Sequence, residues 1–514
     1  VLEETRTRER RLRALPSRVG IYFVLAMCLF PGTGYRDVRA KLAAALSGQA
    51  PGPSARALRD LRRRIGAAPL RKLFELLAGP APWPRMPGVR FGRYRTVAFD
   101  GCKSVKVPDT PRNRGWLGKL KASPGETGCP VIQLMTLCET GTRALVGAVF
   151  GTPADGELAW ARKLPGLLDE TMLVLMDRGF DAGEFLAEVA ATRAQFLVRL
   201  TSARRPPVLA HLPDGSFLSL IGGVKVRIIA AEVTVTCADG TRYGGSCRLA
   251  STLPGHRACP AGALIALYHE RWEHEIACLA LRHTLLAGRV LRSGDRPGIE
   301  QEMRALLTVC QLLRTAMVTA VETRPGTNPD RASFTTALET ARDQLTAAAG
   351  ICPDGPADLA GVIGRAVLAT LLPARRPRFS ARKVKCATSR YLNHGDQRPH
   401  AATAITAIAV TVRTPPLDDP ATRASKRRPH RKTSALTGPQ PPTRRQLITA
   451  IITGQPPRDW SGHELAIRLG VKPRTMLTQL REWALLGFFT HTGYGTYRLN
   501  TPPDSTSSTT APDP

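Results

Sequence analysis

Three acidic residues stand where chemistry is possible. Asp100 follows the strand-like run Thr96-Val97-Ala98-Phe99 and precedes Gly101, which predicts a carboxylate where a strand opens into a turn. Asp177 repeats the arrangement, closing Met172-Leu173-Val174-Leu175-Met176 ahead of Arg178-Gly179-Phe180. Acids at the ends of neighbouring strands can meet, and grouped carboxylates are natural ligands of hard divalent cations. Each alone is more often a turn-forming Asp, its side chain bonded to nearby backbone, and the paired context favours the functional reading. Glu275 lies in Tyr268-His269-Glu270-Arg271-Trp272-Glu273-His274-Glu275, a helical pattern that runs on to Arg282. At 3.6 residues per turn, Tyr268, Arg271, Glu275 and Arg282 fall within an arc of roughly 60°. Glu270 and Glu273 point away, as a solvated face would. On spacing alone, a carboxylate between two arginines reads as a functional acid or as an ordinary ion pair. His269, His274 and His283 fall outside this stripe and read as surface or phosphate-contact groups.

The elements that must position these residues follow from periodicity. Apolar runs of strand length occur at Thr96 to Phe99, Val131 to Cys138 and Arg143 to Phe150. A helical pattern at Glu157 to Leu168, a strand at Met172 to Met176, a helix at Ala182 to Ala191 and a strand at Gln195 to Leu200 come next. Three strands, helix, strand, helix, strand is the order of a ribonuclease H-like mixed sheet. Between Ala203 and Pro260 the chain turns to short β-branched runs, Val224 to Ile229 and Glu232 to Thr236, broken at Asp214-Gly215 and Asp239-Gly240. Long helical patterns return from Ala263 to about Arg289 and from Ile299 to Thr319.

The 514 residues exceed one ordinary core, so the expectation is a multidomain α/β chain. Its parts are a helical N-terminal domain (1–88), a catalytic domain (89–202) interrupted by a mostly β insertion (203–260), and a helical completion (261–325). A helical and basic region (326–412), a basic Pro-rich linker (413–443), a C-terminal module (444–500) and a disordered tail (501–514) complete it. In the module, Ser461 is the expected N-cap of a helix to Leu469, Gly470 stops it, and a helix runs from Pro473 to Leu486. Two short strands around a Gly-rich turn close the pattern of a winged helix-turn-helix, which turns Lys472, Arg474, Thr475 and Gln479 to a DNA groove. A protein-binding helical hairpin is the alternative.

Lys and Arg number 73 against 41 Asp and Glu, a formal charge of +32. Such an excess points to a polyanion, nucleic acid first, because neutralised phosphates release counterions. An inert charged surface is the bland alternative. The runs Arg375-Arg376-Pro377-Arg378 with Arg382, Lys383 and Lys385, and Lys426 to Lys432, are candidate phosphate-contacting surfaces. The 11 cysteines show no C-x-x-C spacing, which fits free thiols in a reducing cytoplasm. The apolar run Ile21 to Phe30 follows several arginines but is shorter than the ~20 residues of a membrane span, and it reads as a buried helix.

The segments "FDGCKSVKVPDTPRN", "LVLMDRGFDAGEF" and "YHERWEHEIACLALRHTLLAGRVLRS" carry a resemblance to DDE transposases of the insertion-sequence-four family, as does "ALPSRVGIYFVLAMCLFPGTGYRDV" near the N-terminus. The last motif holds the family's Y, R, E, K signature as Tyr268, Arg271, Glu275 and Arg282, with Arg in place of Lys at the final position, which keeps the charge. The resemblance spans about residues 10 to 320. It implies that Asp100, Asp177 and Glu275 hold two divalent cations, Mg²⁺ or Mn²⁺, with Asp100 bridging both. It implies cut-and-paste DNA transposition, in which a strand is hydrolysed at the element's end and the freed 3′-hydroxyl attacks target DNA. Arg271 and Arg282 would clamp a phosphate that Tyr268 positions. In relatives that form a DNA hairpin, a tryptophan in the insertion helps hold a flipped base; Ala203 to Pro260 contains none. The expected partners are double-stranded DNA, as terminal inverted repeats and target, and a second copy of the chain; no membrane is expected. A transposase-derived DNA-binding regulator without catalysis and a metal-dependent nuclease are the alternative readings.

Overall fold

A computed structural model describes residues 1–11, 14–44, 52–80, 86–119, 121–122, 125–126, 128–271, 277–347, 361–373, 378–379, 403–415, 448, 450–452, 455–456, 458–471, 473–485 and 489–500. Two compact units divide the chain, 1–423 and 424–514.

The N-terminal part of the first unit is helical: α1 (Ser17–Leu29), α2 (Tyr35–Leu42), α3 (Ala55–Ile65) and α4 (Ala68–Leu77). Phe23, Met27, Val38 and Leu58 form a small core among the first three. Thus the apolar run at Ile21 belongs to a packed helix, as expected.

A mixed sheet follows. Strand β1 (Tyr94–Lys106) pairs antiparallel with β2 (Val131–Glu139), and β2 with β3 (Leu145–Gly151). After a short helix, α5 (Gly156–Ala161), strand β4 (Met172–Met176) runs parallel to β1. After α6 (Gly183–Ala191), strand β5 (Gln195–Arg199) runs parallel to β4. The order β3-β2-β1-β4-β5 needs right-handed crossovers only for the parallel strands, which α5 and α6 supply.

The expected β insertion does not stand apart from this sheet. Strand β6 (Phe217–Ile221) turns through Gly222-Gly223, both at positive φ as a tight two-residue hairpin requires, into β7 (Val224–Cys237). The two runs expected within Val224 to Thr236 are one 14-residue strand. Its partner β8 (Arg242–Ser251) pairs with β5, so the sheet continues unbroken.

Helix α7 (Ala261–His269) ends where a longer helix was expected: the backbone N–H groups of Glu270 and Arg271 bond to Leu267 and Tyr268 in a tightened last turn. A π-helical turn lies further on at Ala280–Leu285. Residues 277–279 are α-helical, and 272–276, which carry Glu275, lie outside the described residues. Helix α8 (Arg296–Glu322) is long and apolar enough for a membrane span, yet most of it is buried inside the protein. It packs with α4 and with α9 (Phe334–Ala347) and α10 (Gly361–Ala369). In the region expected to be helical and basic, β9 (Thr403–Val412) instead forms a strand on β7. Of its basic run only Arg378 falls within the described residues; the run from Lys426 to Lys432 and the tail from 501 lie outside them.

One face of the sheet buries Val97, Phe99, Met135, Leu137, Val174 and Met176 under α5 and α6. The opposite face carries two clusters: one beneath α7, with Ala98, Leu173, Leu175 and Leu197, and one beneath α8, with Ile132, Leu134 and Cys138. In the second unit, α11 (Gly462–Arg468) and α12 (Pro473–Leu485) pack on a hairpin of β10 (Phe489–Gly493) and β11 (Thr496–Leu499). Ser461 caps α11, its Oγ accepting from the His463 N–H at 3.2 Å, and Gly470 ends it at φ +63.

Candidate active site

Parallel pairing of β1 with β4 runs from Arg95 opposite Met172 to Ala98 opposite Leu175, each partner 77 positions further along the chain. Asp177 is the residue 77 positions after Asp100, so the two acids lie level, two residues beyond the last pair. They share the face of Ala98 and Leu175, because side chains alternate along a strand. Asp100 was expected at a strand end, but β1 continues to Lys106, held by its antiparallel partner, with Asp100 opposite Thr136. What ends there is the pairing with β4, and it leaves both carboxylates half-buried.

Each aspartate is oriented by backbone. The Gly101 N–H donates to Asp100 Oδ1 at 2.8 Å, and the Gly179 N–H donates to Asp177 Oδ1 at 2.6 Å. On the other face Phe99 packs edge-on against Phe185 at 5.8 Å and beside Phe180 at 6.0 Å, fixing the two strand tips together.

Parallel pairing of β4 with β5 extends the row. Leu175 faces Leu197 and Met176 faces Val198, 22 positions apart, which sets Arg199 level with Asp177. Arg199 and the buried Asp181 were not singled out from the sequence. Asp181 accepts from the Thr201 N–H at 2.8 Å and its hydroxyl at 3.0 Å, and pairs with Arg204, tying the loop after β5 to the turn after Asp177. The signal for Arg199 is the strand register, which becomes visible only once β4 and β5 are paired.

The chain leaves the cluster beneath α7 at Tyr268 and enters the cluster beneath α8 at Ala277. Burial pushes the Tyr268 phenol up to about 12; Arg271 and Arg199 pull against this while the Asp177 carboxylate adds to it. The Arg271 guanidinium is buried, 6.0 Å from the Tyr268 ring centroid. On the far side, the Cys278 thiol is hydrogen-bonded to Cys102; that bond and burial raise its pKa, and the Asp100 carboxylate reinforces them. The residues flanking 272–276 thus feel the two aspartates, Tyr268 the charge of Asp177 and Cys278 that of Asp100. Glu275 lies outside the described residues. Arg282 sits in the π-helical turn, half-buried, its Nε donating to His283 Nε2 at 2.8 Å. Loss of solvent, with Arg282 beside it, lowers the His283 pKa. Among the described residues no three Asp, Glu, His or Cys side chains group as a metal site.

In the second unit, Thr475 is exposed in the first turn of α12 and Gln479 is half-buried one turn on. Arg474 is in the same helix by its backbone, and Lys472 lies outside the described residues.

Residues 1–75 match the family described as insertion element 4 transposase N-terminal. Transposase InsG for insertion sequence element IS4, from Escherichia coli (strain K12), is 25% identical over 401 residues, which cover 75% of this chain and 88% of that protein. Putative transposase InsZ from the same organism is 26% identical over 131 residues, 25% of this chain and 44% of that protein. Among solved structures, a piggyBac transposase synaptic complex with hairpin DNA covers 71% of this chain and 78% of its own at 9% identity, with a TM-score of 0.35, too low to bear on the fold. The profile match at the N-terminus and the relative that spans three quarters of the sequence agree: the chain is similar to the transposases of insertion element 4.

Proposed function

We propose that this transposase cuts and rejoins DNA at Asp100, Asp177 and Glu275, using two divalent cations. The single observation behind this reading is the register that sets Asp100 and Asp177 level on one face. Two oriented, half-buried carboxylates are an oxygen-donor set of the kind hard cations take, and they call for a further ligand. Glu275 is the acid between Arg271 and Ala277 that best answers this. The bound ions, Mg²⁺ or Mn²⁺, would supply charge at the attacking and leaving oxygens of an in-line phosphoryl transfer. The strand order β3-β2-β1-β4-β5 supports a ribonuclease H-like catalytic fold, and β7 to β9 extend it.

The remaining residues bind and orient DNA. Tyr268 keeps its proton at neutral pH and so donates to a phosphate oxygen. Arg271, Arg282 and Arg199 supply charge-assisted bonds to the same backbone. The freed 3′-hydroxyl then attacks a second phosphodiester, and no covalent enzyme intermediate is needed. Helices α11 and α12 with their hairpin support a winged helix-turn-helix reading, in which Lys472, Arg474, Thr475 and Gln479 face a groove. Two element ends brought together make a homodimer the natural assembly, acting in the cytoplasm where the DNA lies.

The test is a Mg²⁺-dependent cleavage and strand-transfer assay on DNA carrying the flanking element ends, wild type against Glu275→Gln. Joined products that vanish in the variant are expected. Binding without cleavage in both proteins would point to a regulator, and cleavage without joining to a nuclease.

A further inference from the structure

Between α3 and the start of α8 lies an open cleft of about 360 Å³ whose walls include Tyr35, Arg59, Arg62, Arg63 and Arg292. Its floor is a closed polar network. Arg62 Nη2 donates to Glu302 Oε1 at 3.0 Å and to Ser293 Oγ at 3.1 Å, and its Nε donates to Gln301 Oε1 at 2.9 Å. The Arg292 N–H donates to the other Glu302 oxygen at 2.8 Å, while the Arg292 guanidinium donates to the carbonyls of Thr33 and Phe30 at 2.6 and 2.8 Å. Glu302 is therefore fully engaged. The other acids near the rim are also engaged: Asp295 caps α8 through the Gly298 N–H and lies 3.8 Å from Arg112, and Asp60 lies 3.5 Å from Arg63.

The rim is different. Arg56, Arg59 and Arg63 recur at i, i+3 and i+7 on the exposed face of α3, along roughly 10 Å of its axis. Arg59 has no acidic partner among the described residues. Like charges at this spacing repel one another along the helix. Four successive phosphates of a DNA strand, three steps of ~3.4 Å, span about the same axial length.

The cleft is also fixed relative to the aspartates. The Leu291 N–H donates to the Lys106 carbonyl at 2.9 Å, Thr110 Oγ1 to the Gly294 carbonyl at 2.7 Å, and Asn113 Nδ2 to the Ser293 carbonyl at 3.1 Å. Lys106 ends the strand that carries Asp100, so the cleft lies on the order of 20 Å along β1 from the acid pair.

We propose that this cleft grips the phosphodiester backbone of double-stranded DNA, irrespective of sequence, with Arg59 and Arg63 as its contacts. It would hold the duplex about 20 Å from the bond being cut, and this part rests on the DNA-cutting reading above.

Full-length protein is titrated by fluorescence anisotropy with a 40-bp duplex of unrelated sequence over a range of salt concentrations. Losing two phosphate contacts in Arg59→Ala/Arg63→Ala should make the slope of log K against log[salt] shallower by about 1.8, and Arg59→Lys/Arg63→Lys should restore it. An unchanged slope in the alanine variant, with a wild-type melting temperature, overturns the proposal. Should that variant melt early, Arg59→Gln alone at this exposed position should lower the slope by about 0.9, and no change overturns the proposal equally. The duplex carries no element end, so the readout does not depend on whether the protein cuts and joins DNA.

Discussion

Asp100 on β1 and Asp177, one residue past the end of β4, stand level by register, two residues past the point where the pairing of those parallel strands stops. Each also accepts a backbone N–H, from Gly101 and from Gly179. The structural and functional readings of these aspartates are therefore not rivals. The backbone bonds fix each carboxylate, and the end of the β1–β4 pairing lets both face one space. Adjacent strands lie about 4.8 Å apart, so two carboxylates at one register repel unless positive charge is placed between or beside them. Arg199, level with Asp177 on the next strand, is one such charge.

Asp100→Asn and Asp177→Asn should each remove strand cleavage by at least about 100-fold, since even groups that only support metal ligands cost 10- to 100-fold. The double variant should be no worse than either single, because ligands of one site act as a unit. Duplex affinity measured without divalent ions should stay within about twofold of wild type. Additive losses in single-turnover cleavage would show that the two acids do not share a site.

Arg199→Ala should weaken end cleavage by about 10- to 100-fold, the worth of a charged hydrogen bond to a phosphate, roughly 1.5–3 kcal/mol. Arg199→Lys should recover part of it, since charge returns but the two-pronged geometry does not. Equal activity of all three proteins on element-end DNA would remove Arg199 from the site.

Local pattern sufficed wherever an element is held by its own neighbours. Met172–Met176 and Phe196–Val198 are continuous apolar runs buried on both faces, α1 follows helical spacing, and α8 and α11 follow spacing and capping. It failed where the deciding partner is distant. β1 runs on through Asp100 because β2 holds its other edge, and Thr403–Val412 is a strand because Ala231–Cys237, some 170 residues earlier, offers an open edge. Arg199 was invisible for the same reason: its place in the row depends on two parallel pairings, not on its immediate sequence. The stripe of Tyr268, Arg271, Glu275 and Arg282 assumed one helix; α7 stops at His269 and a π-turn begins at Ala280, while 272–276 lie outside the described residues. Tyr268 and Arg271 still adjoin, three residues apart in the tightened turn that ends α7.

Tyr268 supplies a pH test. Its pKa is raised from 10 to about 12, chiefly by burial. A group with a raised folded pKa contributes stability that is fully present below pH 10 and lost as pH climbs towards 12. Ultraviolet titration of Tyr268→Phe should lose an ionisation near 12, not one near 10, and the wild type's stability excess over the variant should vanish across that window. The alkaline limb of a cleavage profile between pH 7 and 9 should be the same in both proteins. A limb that moves in the variant would mean the phenol ionises in the working range.

The Arg62–Glu302 pair joins the N-terminal helices to the core helix, with side chains only 7% and 6% exposed. Removing one member leaves the other charged and buried, a cost of about 3–5 kcal/mol. Glu302→Ala should therefore shift the denaturant midpoint strongly, because Arg62 and the Arg292 N–H both lose their acceptor. Replacing both members with apolar residues of similar volume, Arg62→Met with Glu302→Leu, should recover most of that loss, since no uncompensated charge remains. A double variant as unstable as Glu302→Ala would mean that Gln301, Ser293 and Tyr35, which Arg62 also bonds, carry the junction's stability.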